Sequence, residues 1–281
     1  MEEMQDSNDS LQDVAALRGR LARDGYLLVR GLVKQDIATA VADKALSLLR
    51  EGHFVAPSVG GDRAVRLPSE DPTDRIFGAL QSVELFHALG WHSGIRHLAE
   101  ALLGSSAYAQ PKKVFEALFP LRLGDEPLHV HRDNLGGPSC RDMLTFRVAL
   151  GEIAEGTGGI AVLRGSQDYH HALPRIKTAV PDSLIPVPDD SSSDWVTAEL
   201  SPGDVILFHC YTVHKVLSNH SNQVQLSAEY RWQSDENPSH ISAMLPYRYF
   251  LSYPSIPGWD DLTADWKDPR WCRYPDSVKI I

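Results

Sequence analysis

The chain has 281 residues, 43% of them hydrophobic, which is enough to bury one substantial core with a further layer packed outside it. With 37 acidic against 27 basic residues and a formal charge of -10, no run of Lys and Arg could neutralise several phosphates together, which argues against a nucleic-acid surface. Cys140, Cys210 and Cys272 are dispersed, odd in number and form no CxxC pair, so neither a disulfide framework nor a cysteine-rich zinc knuckle is supported and a reducing compartment is expected.

Residues 1–10 are acidic and lack the basic-then-apolar pattern of a secretory signal, so they read as a disordered tail. Ser10 and Asp13 have capping-box spacing, and Leu11, Val14, Leu17 and Leu21 recur at helical steps until Gly25. Tyr26 to Arg30 has the aromatic and β-branched character of a short strand. Helical periodicity returns with Ile37, Val41, Ala45, Leu48 and Leu49, and again with Ile95, Leu98, Ala99, Leu102 and Leu103, which Gly104 stops. From about residue 107 the segments 107–119, 141–150, 159–163, 195–200, 204–209 and 224–233 read as strands. Between them, 165–194 carries Pro174, Pro181, Pro186 and Pro188 and the polar run Asp189 to Asp194, the composition of a long lid, binding or mobile loop. Trp195, Trp232, Trp259, Trp266 and Trp271 are expected to pack the outside of the barrel and its C-terminal tail.

The expected fold is mainly β with a helical layer, a double-stranded β-helix of the jelly-roll or cupin-like type, with N-terminal helices packed on one sheet. One domain spans 1–281: the tail 1–10, a mainly helical layer 11–104, a jelly-roll core 105–235 with the loop 165–194, and an extension 236–281. No apolar run approaches the roughly 20 residues needed to cross a membrane, and the terminal Val278-Lys279-Ile280-Ile281 is not a serine-lysine-leucine peroxisomal address. A cytoplasmic protein without membrane contact is expected; its oligomeric state is not encoded in any pattern visible here.

His131 and Asp133 stand at i and i+2, so on a strand both side chains leave one face. His214 lies 214 − 133 = 81 positions after Asp133, just beyond the apolar strand Val205 to Phe208, where a neighbouring strand could aim it at the same point. Two neutral imidazoles and one carboxylate take one face of an octahedral ion and leave the remaining positions open, the donor set of a non-haem Fe(II) centre that activates dioxygen. Read one by one, each residue also has an ordinary explanation: a hydrogen-bonded strand histidine, a strand-end aspartate, a surface-loop histidine. His129 shares the face of His131, so a His129 and His131 pair is an alternative. His170 and His171 fall in the long loop and read as solvated, although Tyr169 or His170 could there meet substrate.

Around these residues, Leu144-Thr145-Phe146-Arg147-Val148-Ala149-Leu150 leads into Glu155-Gly156-Thr157-Gly158-Gly159 and then Val162-Leu163-Arg164-Gly165-Ser166-Gln167. Ser201-Pro202-Gly203-Asp204 precedes the strand 205–208, and His214 is followed by Asn219 and Ser221. This order, with the early Asp24-Gly25-Tyr26-Leu27-Leu28-Val29-Arg30-Gly31-Leu32, resembles the phytanoyl-CoA dioxygenase family of Fe(II)/2-oxoglutarate oxygenases from about residue 11 to about 235. The resemblance implies that His131, Asp133 and His214 hold Fe(II), that 2-oxoglutarate and dioxygen are cosubstrates, and that a C–H bond of a small molecule is oxidised. It also implies a basic residue about eleven positions after the distal histidine to clamp the far carboxylate of 2-oxoglutarate. Here that position is Gln225, which cannot supply a charged, two-pronged clamp. Arg147 is the preferred replacement, reaching inward from a facing strand, with Arg66 a weaker one; simple pairing of Arg147 with a carboxylate is the competing explanation. Arg231 shares the strand face of Gln225 but stands about 20 Å along it, too far for direct substitution. Two further readings follow: an iron oxygenase of this fold that does without 2-oxoglutarate, and a non-catalytic jelly-roll binding protein.

Overall fold

The computed structural model describes residues 1–58, 61–64, 78–121, 130–133, 142–168, 194–246 and 258–281. Arg66, His129, Cys140, Tyr169, His170, His171 and most of the 165–194 loop lie outside these.

Two sheets face one another. The larger contains β2 (Tyr26–Val29), β10 (Val205–His209), β7 (Met143–Ala149), β12 (Gln225–Ser234) and β5 (Ala107–Ala109) in that order, with β6 (Val114–Leu118) also paired to β12. The smaller has the order β1 (Glu2–Glu3), β9 (Trp195–Thr197), β8 (Ile160–Leu163), β11 (His214–Val216). A hairpin of β3 (Val55–Ser58) and β4 (Gly61–Ala64) stands apart. This is the expected double-sheet barrel with helices on one side.

Strand alternation decides which side chains reach the interior. On β10, Val205 and Leu207 pack toward the helices, whereas Ile206 and Phe208 join Ile160, Val162 and Val196 between the sheets. On β7, Leu144, Phe146 and Val148 belong to the helix-side core, which turns Thr145 and Arg147 inward. On β12, Leu226, Ala228, Tyr230 and Trp232 take the helix side, so Gln225, Ser227, Glu229, Arg231 and Gln233 form an inward polar file. Such a file is stable only if its members are paired or hydrogen-bonded, because an unpaired buried charge is costly.

The helical layer comprises α1 (Val14–Asp24), α2 (Gln35–Glu51), α3 (Glu84–Leu89) and α4 (Ser93–Leu103). Asp13 caps α1 by accepting from the Ala16 amide, and Gly25 ends it in the left-handed region at φ 79°. α2 buries Ala38, Val41, Ala42, Ala45 and Leu49, a stripe at helical spacing. The sheet is tied to the end of α3 by hydrogen bonds as well as by packing: Tyr230 Oη donates to Phe86 O (2.9 Å) and Trp232 Nε1 to Gly90 O (3.2 Å). After β12, the last segment folds back over α3, where Trp266 Nε1 donates to Ser82 O (2.9 Å) and Glu84 accepts from the Lys267 and Asp268 amides.

Two expectations need correction. Residues 1–10 are not a disordered tail: β1 pairs in parallel with β9, and Met4 is buried in the core between the sheets. The expected strand 107–119 is two strands, interrupted around Pro111, which has no amide to offer a ladder. Trp195 and Trp232 lie on the outer faces of the two sheets as expected, Trp195 packed with Ala161 and Leu163 and Trp232 between the large sheet and the helices.

Candidate metal centre

The site forms where the segment 130–133 runs beside β11. His131 N donates to His214 O and His214 N donates to His131 O, both at 2.9 Å, so the two backbones are locked in antiparallel register. That register brings the imidazole rings to a centroid distance of 4.3 Å. Asp133, two residues further on, turns to the same side, and its Oδ1 lies 3.9 Å from His214 Nε2. One ligand atom from each of His131, Asp133 and His214 falls within 4.8 Å of the others, the one such grouping among the described residues.

The surroundings prepare each group to bind a cation. His214 is 2% exposed, and its Nδ1 lies 3.0 Å from Thr212 O. A carbonyl only accepts, so Nδ1 carries the hydrogen and Nε2 presents its lone pair toward Asp133. Burial lowers the His214 pKa to about 4, outweighing the opposing pull of Asp133, which keeps the ring neutral at physiological pH. Asp133 is 7% exposed; burial raises its pKa, but Arg231, His214 and the Thr145 hydroxyl together hold it down to about 2. Thr145 Oγ1 donates to Asp133 Oδ2, and Arg231 Nη2 donates to Oδ1 at 2.8 Å. Two neutral imidazoles and one ionised, oriented carboxylate, set at the edge of an apolar interior, fit a divalent first-row metal with open coordination positions.

From Asp133 a chain of alternating charge continues along the interior wall. Arg231 Nη2 also lies 3.8 Å from Glu229 Oε2; Glu229 Oε1 accepts from Arg147 Nη1 at 2.7 Å, and Arg147 Nη2 donates to Glu116 Oε2. Burial and the charge of Asp133 raise the Glu229 pKa, against the pull of Arg147 and Arg231. Burial lowers the Arg147 pKa, but Glu116 and Glu229 outweigh it and leave it raised, so Arg147 is permanently charged. Gln225 is buried at the start of β12, opposite Leu118 of β6.

The sequence-derived residues thus divide. His131, Asp133 and His214 come together. Arg147 points inward as expected and is also paired with two carboxylates, while Arg66 and His129 lie outside the described residues. Arg231 does not serve the Gln225 position, yet it meets Asp133, a contact absent from the sequence reading, as were those of Thr145, Glu116 and Glu229. The period-2 pattern of 225–233 and 143–149 carried the signal that these polar residues share the interior face.

A double-sheet barrel with this donor set defines a non-haem iron oxygenase. The family described as phytanoyl-CoA dioxygenase (PhyH) matches residues 21–226, and the chain belongs to that family of enzymes, which use Fe(II), 2-oxoglutarate and dioxygen. Among characterised proteins it is similar to the 1-deoxypentalenic acid 11-beta-hydroxylases of Streptomyces arenae and Streptomyces exfoliatus. Each is 24% identical over 86% of this chain and 89% of the relative. Among solved structures it resembles the non-heme alpha ketoglutarate dependent epimerase SnoN from nogalamycin biosynthesis, with TM-score 0.57, 24% identity and coverage of 80% of this chain and 84% of that one. It also resembles EctD from S. alaskensis with bound Fe, with TM-score 0.58, 17% identity and coverage of 100% and 90%. Membership of an enzyme family sets aside the reading as a non-catalytic binding protein.

Proposed function

We propose that this chain hydroxylates, or otherwise oxidises, a C–H bond of a small metabolite or natural-product intermediate, using Fe(II) held by His131, Asp133 and His214. The observation that carries the reading is the convergence of those three donors within 4.8 Å at the edge of the interior. When bound, Fe(II) with 2-oxoglutarate supplies oxidising power from dioxygen, with succinate and carbon dioxide as coproducts.

The protein's own residues perform the remaining tasks. Thr145 and Arg231 fix the Asp133 carboxylate, and Thr212 O fixes the His214 tautomer. Ile160, Val162, Ile206 and Phe208 line the interior and exclude water from it. Arg147 supplies positive charge for the far carboxylate of 2-oxoglutarate: its Nε is buried with no acceptor among the described residues, an orphaned donor that suits an anion. Gln225 contributes a neutral donor on the same interior face. A small-molecule substrate agrees with the relatives, which act on 1-deoxypentalenic acid, and the net acidity argues against nucleic acid. No described helix is long and apolar enough to cross a membrane, and a cytoplasmic location is proposed.

The test is succinate formation from 2-oxoglutarate by Fe(II)-loaded protein under air, alone and with a pool of small apolar acids. Succinate that disappears in His131→Ala and His214→Ala supports the reading; turnover surviving both variants refutes the site. The neutral Gln225 and the doubly paired Arg147 favour a second reading, an iron oxygenase that takes its electrons from the substrate itself. Iron-dependent oxygen uptake without succinate, with 2-oxoglutarate binding created only by Gln225→Arg, would select it.

A further inference from the structure

Arg147 has more carboxylate around it than one guanidinium needs. It is 3% exposed, and its two terminal nitrogens are occupied by Glu229 and Glu116. Those partners are not equivalent. Glu229 stands directly opposite Arg147 in the β7–β12 ladder, its side chain is 10% exposed, and it is held from its other side by Arg231. Glu116 reaches across from β6, which pairs only with β12 among the described residues, and its side chain is 27% exposed. Among the described residues its further polar contact is a long one, Ser227 Oγ at 3.4 Å. Of the two, Glu116 is the more exposed and the less firmly held.

We propose that Glu116 is a place-holder carboxylate on Arg147, and that the far carboxylate of 2-oxoglutarate displaces it there, making good the charge that Gln225 lacks. This rests on the metal centre and on the role given to Arg147 under the proposed function. Thr145, which touches Asp133, is two residues from Arg147 on the same face, about 6.6 Å along the strand, a span suited to a short dicarboxylate whose other end lies at the metal. Exchange of one carboxylate for another conserves both the local charge and the charge-assisted hydrogen bond. A third carboxylate added without exchange would meet two like charges beside one cation. A ligand with a neutral far end gains nothing from Arg147, because Glu116 stays in place. Glu116 therefore lowers affinity for the dicarboxylate, and it is the charge of Arg147 that selects for it.

The experiment is anaerobic calorimetric titration of Fe(II)-loaded protein with 2-oxoglutarate and with 2-oxobutyrate, which has the same keto acid but no far carboxylate. Glu116→Gln is expected to tighten 2-oxoglutarate by roughly tenfold, the loss of one competing charge-assisted bond, and to leave 2-oxobutyrate unchanged. Arg147→Gln is expected to weaken 2-oxoglutarate by about tenfold or more, and adding Glu116→Gln to it should give no further gain. Thermal melts of the metal-free variants check folding; should Glu116→Gln not fold, Glu116→Asp, with its carboxylate withdrawn by one methylene, should tighten 2-oxoglutarate by a smaller factor. Unchanged or weaker 2-oxoglutarate binding in the folded Glu116 variant, or equal tightening of both acids, overturns the exchange alone. Wild-type binding by Arg147→Gln overturns the clamp with it, whereas failure of the wild-type protein to bind either acid while it binds Fe(II) overturns the cosubstrate reading itself.

Discussion

Asp133 shows how much of the proposed metal site is built by residues that would touch no metal. Its two oxygens are held by different elements, Oδ2 by Thr145 on β7 and Oδ1 by Arg231 on β12, so the carboxylate is oriented before any ion arrives. Loss of one such partner typically costs 10–100-fold in metal affinity. Thr145→Val, similar in shape but without the hydroxyl, is accordingly expected to weaken Co(II) binding about tenfold or more, read by anaerobic optical titration; wild-type affinity would contradict the role given to Thr145. The convergence of the three proposed ligands was legible because the i, i+2 spacing of His131 and Asp133 is a strand rule and His214 follows a clear apolar strand. The ion pair between Arg231 and Asp133 was not legible. It depends on where the segment 130–133 crosses strands distant in sequence, and the rise per residue along β12 measures only how far Arg231 stands from Gln225.

Elements bring these residues together through turns that tolerate little change. The turn before β10 places Gly203 at φ 95°, and a Cβ there would stand 2.2 Å from the Val33 carbonyl oxygen. Asp204, next in line, accepts from the Gly31 amide (2.8 Å) and the Ser201 amide (3.0 Å) and pairs with Arg30, which pins β10 beside β2. Gly203→Ala is expected to cost roughly 2–4 kcal/mol, visible as a lower urea midpoint at unchanged slope. A midpoint equal to wild type would mean that the close approach to Val33 is not maintained in solution. The helices α1, α2 and α4 and the central strands followed from periodicity, since each has a long apolar face to bury. β1 and the β3–β4 hairpin did not. Two residues of β1 carry no period, and its pairing is fixed by the partner strand β9 and by burial of Met4.

Across the molecule as a whole, the segment beyond residue 258 packs over α3 on the opposite side of the large sheet from the proposed metal ligands. Beneath it lies Lys113, which is fully buried and donates from Nζ to the Gln110 carbonyl. Burial lowers its pKa from 10.5 to about 7. The unfolded chain keeps this proton up to about pH 10.5 while the folded chain releases it near 7, so the unfolded state binds more protons in between. Stability should therefore rise between pH 7.5 and 9.5, by up to about 1.4 kcal/mol per pH unit. Lys113→Met should flatten that slope and be more stable than wild type at pH 7.5, as followed by urea unfolding across the range; an unchanged slope would mean that the amine is solvated. The double sheet and its helical layer were readable as a whole because apolar strands and amphipathic helices must bury their faces on each other. A buried lysine offers no comparable pattern, because its burial is imposed by the C-terminal segment rather than by its neighbours in sequence.

Anaerobic titration of the metal-free chain with Fe(II), compared with His131→Ala, Asp133→Ala and His214→Ala, decides whether these three side chains hold the ion. About one ion per wild-type chain and loss of tight binding in each variant are expected. Undiminished binding in all three variants, or no binding by the wild-type protein, would contradict that assignment.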